Sequence, residues 1–219
     1  MQQAISGKYK LVIFDWDGTL MDSTPKIVSS VQNAALRAGL TKPSDEQVND
    51  IIGLSLRIGL DRIFALGNSP VMEQLVDLYR DEYLFSNQTP SPMFDGSLGL
   101  LDTLQQRQQI MAVATGKLRR GLDEVWQVTG AKHYFASSRC ADEAESKPSP
   151  DMLLQLLSEL GIDSQDAVMI GDTEHDMKMA EAIDMPRIGV SYGAQPPEKL
   201  HKHRPLTIVD RVDDLINWL

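Results

Sequence analysis

The chain has 219 residues, enough for one large core and a smaller appended unit, and its formal net charge is −10. That charge excludes the basic face on which nonspecific binding to nucleic acid or to an anionic membrane depends. A single cysteine, Cys140, excludes an internal disulfide. No apolar run approaches membrane-spanning length, and Met1–Gly7 lacks the apolar core of a secretion signal, so we expect a cytoplasmic protein.

Hydrophobic periodicity predicts one strand, then a block of helices, then alternating helices and strands. The predicted strands are 10–14, 110–114, 134–137, 167–170, 187–190 and 207–209. The predicted helices are 27–38, 54–66, 71–85, 97–107, 118–129, 151–160, 173–182 and 212–218. Such alternation predicts a parallel sheet that is covered by helices on both faces.

The helical block interrupts this alternation after the first strand. The simplest arrangement is an α/β catalytic core formed by 1–20 and 88–219, with a helical cap domain, 21–87, inserted between its two parts. The predicted fold is therefore a three-layer, Rossmann-like core with a parallel sheet and an inserted all-helical cap. In open parallel sheets, ligands bind beyond the carboxyl ends of the strands.

Two carboxylates, Asp15 and Asp17, follow the apolar run at 11–14 directly. Side chains on an extended chain alternate between faces, so these two point the same way and Trp16 points away. Like charges held this close repel each other, and burial adds to the cost, unless a divalent cation or a shared proton offsets it. The alternative is a strand that simply ends at an Asp-Gly turn, and this segment alone does not separate the two.

Three further polar segments follow in chain order: Thr115-Gly116 after the run at 110–114, Lys147-Pro148, and Gly171 to Asp176 after the run at 167–170. Because Asp15, Thr115 and Asp172 all follow predicted strands, a single site at the carboxyl edge of the sheet can gather them. Helix N-caps are the simpler alternatives for both Thr115 and Asp172.

Together, the four segments resemble the four signature motifs of the haloacid dehalogenase-like (HAD) hydrolase superfamily. The pattern Asp-x-Asp-Gly-Thr-Leu-x-Asp-Ser at 15–23 is most similar to its phosphoglycolate phosphatase-like branch. The resemblance spans nearly the whole chain, from Val12 to Val190. It implies a Mg²⁺-dependent phosphatase that acts on a small, phosphoglycolate-like phosphomonoester, with a cap that closes over the site.

The resemblance also implies a role for each motif residue. Asp15 is the expected nucleophile, which forms an aspartyl-phosphate, and Asp17 the general acid that then becomes the base. Thr115 and Gly116 are expected to bind the substrate phosphate. Lys147 is expected to neutralise both the phosphoryl group and the nucleophile.

A magnesium site follows from the same resemblance. The expected ligands are the Asp15 carboxylate, the Asp17 backbone carbonyl and the Asp172 carboxylate, which suit a hard ion that prefers oxygen. Asp176 lies one helical turn after Asp172, so both can face the same point, and it is expected to orient the metal's waters.

Other polar residues are weaker candidates. Arg57, in the predicted cap, is a candidate for reading the non-phosphate end of the substrate, although an ordinary surface arginine explains it equally well. We expect His175 to face solvent or the cap cleft, and His201 and His203 to lie in a solvated surface run. Cys140 is expected to be structural.

Three other functions compete with the phosphatase. A sugar phosphomutase of the same superfamily tends to carry a cap histidine, but this chain has none before His133. Dehalogenating relatives lack the second aspartate of the first motif, so Asp17 argues against that activity. A catalytically idle binding or regulatory relative usually has a broken signature, and this one is unbroken. The sequence fixes neither the substrate nor the oligomeric state, for which a monomer is slightly favoured.

Overall fold

The computed structural model describes residues 7–219, so residues 1–6, which belong to the predicted core, lie outside the described residues. Its strands are β1 (Leu11–Phe14), β2 (Ile110–Ala114), β3 (Ser137–Arg139), β4 (Ala167–Gly171), β5 (Arg187–Val190) and β6 (Ile208–Val209). Its helices are α1 (Thr24–Arg37), α2 (Asp45–Asn49), α3 (Leu56–Phe64), α4 (Pro70–Asp81), α5 (Ser97–Gln106), α6 (Arg119–Thr129), α7 (Asp151–Leu160), α8 (Glu174–Glu181) and α9 (Pro197–His201). A π-helical turn, Glu82–Ser86, extends α4.

The strands of the described residues run parallel in one sheet, in the order β3-β2-β1-β4-β5-β6. β1 lies at the centre, where Phe14 is in register with Val113 of β2 and with Ile170 of β4. Parallel neighbours need crossover connections, and the helices of the alternating region provide them. The predicted α/β fold with a parallel sheet is confirmed.

Helices cover both faces of the sheet, because alternate residues of each strand enter different apolar layers. Val12 and Phe14 pack in one layer with Trp126 of α6. Leu11 and Ile13 pack in the other, which includes the apolar face of α7. All four β1 residues are apolar and fully buried. The polar side chains of this region are therefore those that follow the strand, beginning with Asp15.

Helices α1 to α4 pack around an apolar cluster of their own. Its buried members are Val28, Val31, Ala34, Ala35, Val48, Leu60, Met72, Leu75 and Val76. The stripe on α1 follows the helical spacing of the sequence, and Gly39, at φ +74°, follows the helix in a conformation that favours glycine. These helices lie within 21–87, and the division of the chain at those boundaries stays a prediction.

The short strand predicted near 134–137 exists but lies further along the chain. A 3₁₀ turn occupies Ala131–Tyr134, and the strand of this region is β3, which begins only at Ser137. Phe135 lies between the 3₁₀ turn and β3, and its ring stacks on Trp126 with the two ring centroids 5.8 Å apart. The apolar residues of this stretch therefore fill the layer beneath the sheet rather than pair with a neighbouring strand.

The shortest helices differ most from the predictions. α2 and α9 are not predicted, and the helix predicted at 212–218 is a 3₁₀ helix, Val212–Asn217. α9 interrupts the predicted surface run: Leu200 is buried and His203 Nδ1 lies 2.8 Å from Glu181 Oε2. One turn of helix carries too little periodicity to be recognised. In the described part of the chain, no helix has the length and apolar character needed to cross a membrane.

Candidate active site

The topology gathers the polar residues that follow the central strands. β1 pairs with both β2 and β4, so Asp15, Thr115 and Asp172 emerge side by side at the carboxyl edge of the sheet. The Asp15 amide extends the ladder by donating to the Ile170 carbonyl at 2.9 Å. All three side chains are buried.

A buried acidic cluster forms at this edge. One carboxylate oxygen from each of Asp15, Asp172 and Asp176 lies within 4.8 Å of the others. Burial raises the pKa of Asp15 well above its usual range, and burial together with the Asp176 carboxylate raises the pKa of Asp172 to about 7. Asp15 Oδ2 is buried without a hydrogen-bond partner. Three carboxylates with a free oxygen among them are a suitable donor set for a hard divalent cation.

The buried side chain of Lys147 lies against this acidic cluster. Its Nζ lies 2.9 Å from Asp15 Oδ1 and 2.6 Å from Asp176 Oδ1, and no part of the side chain is exposed. Burial lowers the pKa of Lys147, but the Asp15 and Asp176 carboxylates outweigh burial and hold the pKa above its ordinary value. The lysine is therefore charged and bridges the two aspartates.

The two aspartates of the acidic segment have different partners. Asp172 Oδ1 accepts from the Thr19 hydroxyl at 3.1 Å, and its Oδ2 accepts from the Ala194 amide at 2.7 Å. Asp176 Oδ2 accepts from the amide and the hydroxyl of Thr173, which is the true N-cap of α8. The simpler interpretation of Asp172 as an N-cap is therefore wrong.

Gly18 makes room for the Asp172 carboxylate. Its φ is +77°, and a Cβ at this position would lie 2.2 Å from Asp172 Oδ2. Only glycine satisfies both the backbone conformation and the close approach. The Asp-Gly turn is thus real, and it brings the carboxylates together rather than merely ending a strand.

Asp17 has a partner that the sequence does not predict. Lys117 Nζ lies 2.9 Å from Asp17 Oδ1, and the Ser23 hydroxyl donates to the same oxygen at 2.6 Å. Burial lowers the pKa of Lys117, but the Asp17 carboxylate raises it, and the pKa stays above its ordinary value. The available signal was position, because Lys117 comes two residues after Thr115 at the sheet edge.

Thr115 and Gly116 lie where the sheet meets the helical segment. The Thr115 hydroxyl oxygen accepts from the Lys117 amide at 3.2 Å, whereas the N-cap of α6 is Leu118, so the N-cap interpretation of Thr115 is wrong. A Cβ on Gly116 would lie 2.5 Å from the Gly53 carbonyl oxygen. Glycine here allows the loop before α3 to rest directly on the sheet edge.

Further contacts hold the helical segment against the sheet edge. His175 is buried, and its Nε2 lies 2.9 Å from the Asp50 carbonyl oxygen, so it faces the predicted cap rather than solvent. Lys199 forms an ion pair with the Asp50 carboxylate. The Ser55 amide donates to the Ser146 hydroxyl at 2.9 Å. These contacts join Asp50 and Ser55 of the helical segment to the α/β part of the chain.

A cavity of about 610 Å³ lies between the sheet edge and the helical segment. Asp15, Asp17 and Thr115 line its floor. Arg57, the candidate for specificity, forms an ion pair with Glu73 and is not among the described residues that line this cavity. Its proposed role stays a prediction.

Cys140 is buried, and burial raises the pKa of its thiol to about 12. A thiol that holds its proton at neutral pH is a poor nucleophile, which agrees with the structural role expected for it.

Comparisons with known proteins agree on one family. The family model for haloacid dehalogenase-like hydrolases matches residues 12–190. A phosphoglycolate phosphatase of Agrobacterium fabrum is 30% identical over 188 residues, with 84% of this chain and 81% of the relative covered. An N-acetylmuramic acid 6-phosphate phosphatase of Pseudomonas aeruginosa is 30% identical over 215 residues, with 97% and 95% covered.

Solved structures share the fold. A hydrolase from Pseudomonas syringae superposes with a TM-score of 0.84 at 22% identity, covering 95% of this chain and 96% of that one. The order of the motifs, the site that the fold builds from them and the match over most of the length agree. The chain therefore belongs to the haloacid dehalogenase-like hydrolases.

Proposed function

We propose that this phosphatase hydrolyses a small phosphorylated metabolite with the help of Mg²⁺, through an aspartyl-phosphate on Asp15. The observation that carries the proposal is the environment of Asp15. One of its oxygens is held by Lys147 at 2.9 Å, while the other is buried without a partner beside two more carboxylates. The names of the curated relatives, which include two phosphomonoester phosphatases, support the same reaction.

In the first proposed step, an Asp15 carboxylate oxygen forms a bond to phosphorus and the bond from phosphorus to the ester oxygen breaks. Asp17 gives a proton to the departing oxygen, which leaves as an alcohol. In this proposal the Lys147 ammonium, the Thr115 hydroxyl and the Gly116 amide would hold the phosphoryl oxygens as their charge grows.

In the second step, water attacks the same phosphorus and the bond to Asp15 breaks. Asp17, now deprotonated, takes a proton from the attacking water. Inorganic phosphate leaves, and both aspartates return to their starting states. Contacts between the helical segment and the sheet edge, such as Ser55 to Ser146, would help to limit the access of bulk water to the cavity floor.

The charges around Asp15 fit a divalent cation. The three clustered carboxylates carry three negative charges when ionised, and the Lys147 ammonium neutralises one of them. A dication balances the remainder before an anionic phosphate arrives. The Asp15 carboxylate, the Asp17 carbonyl and the Asp172 carboxylate would hold Mg²⁺, which supplies charge neutralisation for the phosphoryl group. Asp176, fixed by Lys147 and Thr173, would orient this set.

A panel of phosphomonoesters tests the proposal by release of inorganic phosphate in the presence of Mg²⁺. We expect hydrolysis that EDTA abolishes and that Asp15→Asn removes. Asp163→Asn, at an exposed position outside the cavity lining, is the matched control and should retain full activity. Full activity of Asp15→Asn would refute the mechanism. Isomerisation of a hexose 1-phosphate without phosphate release would favour the phosphomutase instead.

A further inference from the structure

The cavity contains cationic and phenolic side chains to which the proposed reaction gives no role. Lys117 is prominent among them, because only 10% of its side chain is exposed. Its Nζ lies 2.9 Å from Asp17 Oδ1 and 3.3 Å from the Tyr83 hydroxyl oxygen. Lys117 therefore stands beside the carboxylate that faces the leaving group in the proposed reaction.

The Tyr83 ring also contacts a second ammonium group, that of Lys26, which lines the same cavity. Lys26 Nζ lies 5.1 Å from the ring centroid and Lys117 Nζ lies 5.0 Å from it, so the two ammonium groups are within about 10 Å of each other. Lys26 forms no ion pair among the described residues, and the carboxylate partner of Lys117 is Asp17. Among the described residues, these two ammonium groups therefore have one carboxylate partner between them, and it belongs to Lys117.

Tyr83 adds a hydrogen-bond donor. The Lys117 ammonium donates to the Tyr83 oxygen, so the phenol proton remains available to another acceptor. Burial raises the pKa of Tyr83, with Lys117 acting in the opposite direction, so the phenol keeps its proton at neutral pH. Lys26 without a carboxylate, Lys117 with one carboxylate and an available phenol proton together form a suitable environment for an anionic group.

The two arginines that line the cavity are placed differently. Arg80 pairs with Asp77 at 3.3 Å and Arg120 pairs with Glu124 at 2.8 Å, so each already has a carboxylate. Both arginine side chains are also mostly exposed, whereas Lys117, although paired with Asp17, is enclosed, and Lys26 has no carboxylate partner among the described residues.

The rest of the cavity wall is largely apolar, with residues from the helical segment and from α6. They include Ile27, Val31, Ile51, Leu56, Tyr79, Leu118, Val125 and Val128. A volume of about 610 Å³ lies in the range of cavities that bury ligands much larger than a two-carbon acid. The wall therefore suits a leaving portion with an apolar body.

We propose that Lys26, Lys117 and the Tyr83 hydroxyl form an anion subsite that binds a carboxylate on the leaving portion of the substrate. The substrate class is then a phosphomonoester whose alcohol or phenol carries both an apolar body and a carboxylate. This inference rests on the proposed function, because it describes the substrate of the same site. The subsite also explains how a chain of net charge −10 attracts a substrate with two anionic groups, since local charge rather than net charge acts in the cavity.

Probes that differ only in the carboxylate test the subsite. We would compare kcat/KM for phenyl phosphate with kcat/KM for meta- and para-carboxyphenyl phosphate, with Mg²⁺ present. The wild-type protein should prefer at least one carboxylated probe by about tenfold or more, as a charge-assisted hydrogen bond allows. Lys117→Met should lose most of that preference, and Tyr83→Phe should lose part of it. Lys42→Met, at an exposed position outside the cavity lining, is the matched control and should keep it.

Binding without turnover gives a second measurement. Calorimetric titration with benzylphosphonate and its carboxylated analogues should reproduce the preference of the wild type and its loss in Lys117→Met. Lys117→Arg retains a cation and should retain the preference. Equal kcat/KM of the wild type for all probes would overturn the subsite. An equal fall for every probe in Lys117→Met would overturn it too, because Lys117 would then act only through Asp17.

These outcomes differ from a failure of the proposed function. If the wild type hydrolyses phenyl phosphate and Asp15→Asn does not, the phosphatase mechanism stands whatever the carboxylate preference. If the wild type hydrolyses none of the probes and none of the phosphomonoester panel, the proposed function is wrong, and the subsite falls with it.

Discussion

Without divalent cations, we expect the free energy of unfolding to fall as the pH rises from about 5 to about 8. Burial raises the pKa of Asp172 to about 7 in the folded chain, from an ordinary value of 3.8. Between these values the folded chain binds the proton that the unfolded chain has lost, so a rise in pH favours unfolding. Above pH 7 or so both states are deprotonated at Asp172, and its effect on stability levels off.

The size of this effect follows from the interval of pH that is crossed. From about pH 5 to about pH 7, only the folded chain holds the proton, and each pH unit changes the free energy of unfolding by about 1.4 kcal/mol. Asp172 alone therefore lowers stability by about 3 kcal/mol. Burial also raises the pKa of Asp15 well above its usual range, which changes stability in the same direction.

Urea denaturation followed by circular dichroism, in EDTA at both pH values, measures the effect. Mg²⁺ at about a hundredfold excess over its Kd should restore about 2.7 kcal/mol at the higher pH. Asp172→Asn should reduce the pH dependence, whereas Asp163→Asn, at an exposed position, should preserve it. Stability that stays level or rises from the lower to the higher pH in the wild type would refute the protonated, metal-free cluster.

Three substitutions test other parts of the structure. Lys147→Met leaves Asp15 and Asp176 without their buried cation. We expect the free energy of unfolding of the metal-free protein, measured by denaturation, to fall by about 3–5 kcal/mol. A fall below about 1 kcal/mol would contradict the charged bridge. Gly116→Ala places a Cβ 2.5 Å from the Gly53 carbonyl oxygen, so kcat/KM for phosphate release should fall by about a hundredfold. Unchanged kinetics would show that the helical segment adapts freely to the added methyl group. Leu60→Ala creates a cavity in the apolar cluster of the helical segment, and the free energy of unfolding, measured by denaturation, should fall by about 2–5 kcal/mol. An unchanged free energy of unfolding would mean that this cluster contributes little to stability.

Much of the site could be predicted because its residues follow strands that are buried on both faces. Such strands appear as uninterrupted apolar runs, and β1, β2 and β4 all do. Asp15, Thr115 and Asp172 directly follow these runs, so their approach to one edge of the sheet needs only the topology of a parallel sheet. The acidic cluster is the three-dimensional result of those positions.

The remaining contacts depend on loop paths and helix packing, which periodicity does not describe. Lys147 lies in a loop with no periodic pattern, so the family resemblance alone indicated its role. The pairing of Lys117 with Asp17 joins residues that are distant in sequence. Arg57 is a further example, because its ion pair with Glu73 joins α3 to α4 and has no signature in the sequence. Its role in specificity stays a prediction.

Asp50 supplies two connections at once, its carbonyl oxygen to His175 and its carboxylate to Lys199. Both partners belong to the α/β part of the chain, and His175 directly precedes Asp176 of the acidic cluster. If product escapes when the helical segment lifts, one residue must release a hydrogen bond and an ion pair in the same motion. Where that release is slower than the bond changes at phosphorus, it would set the turnover number.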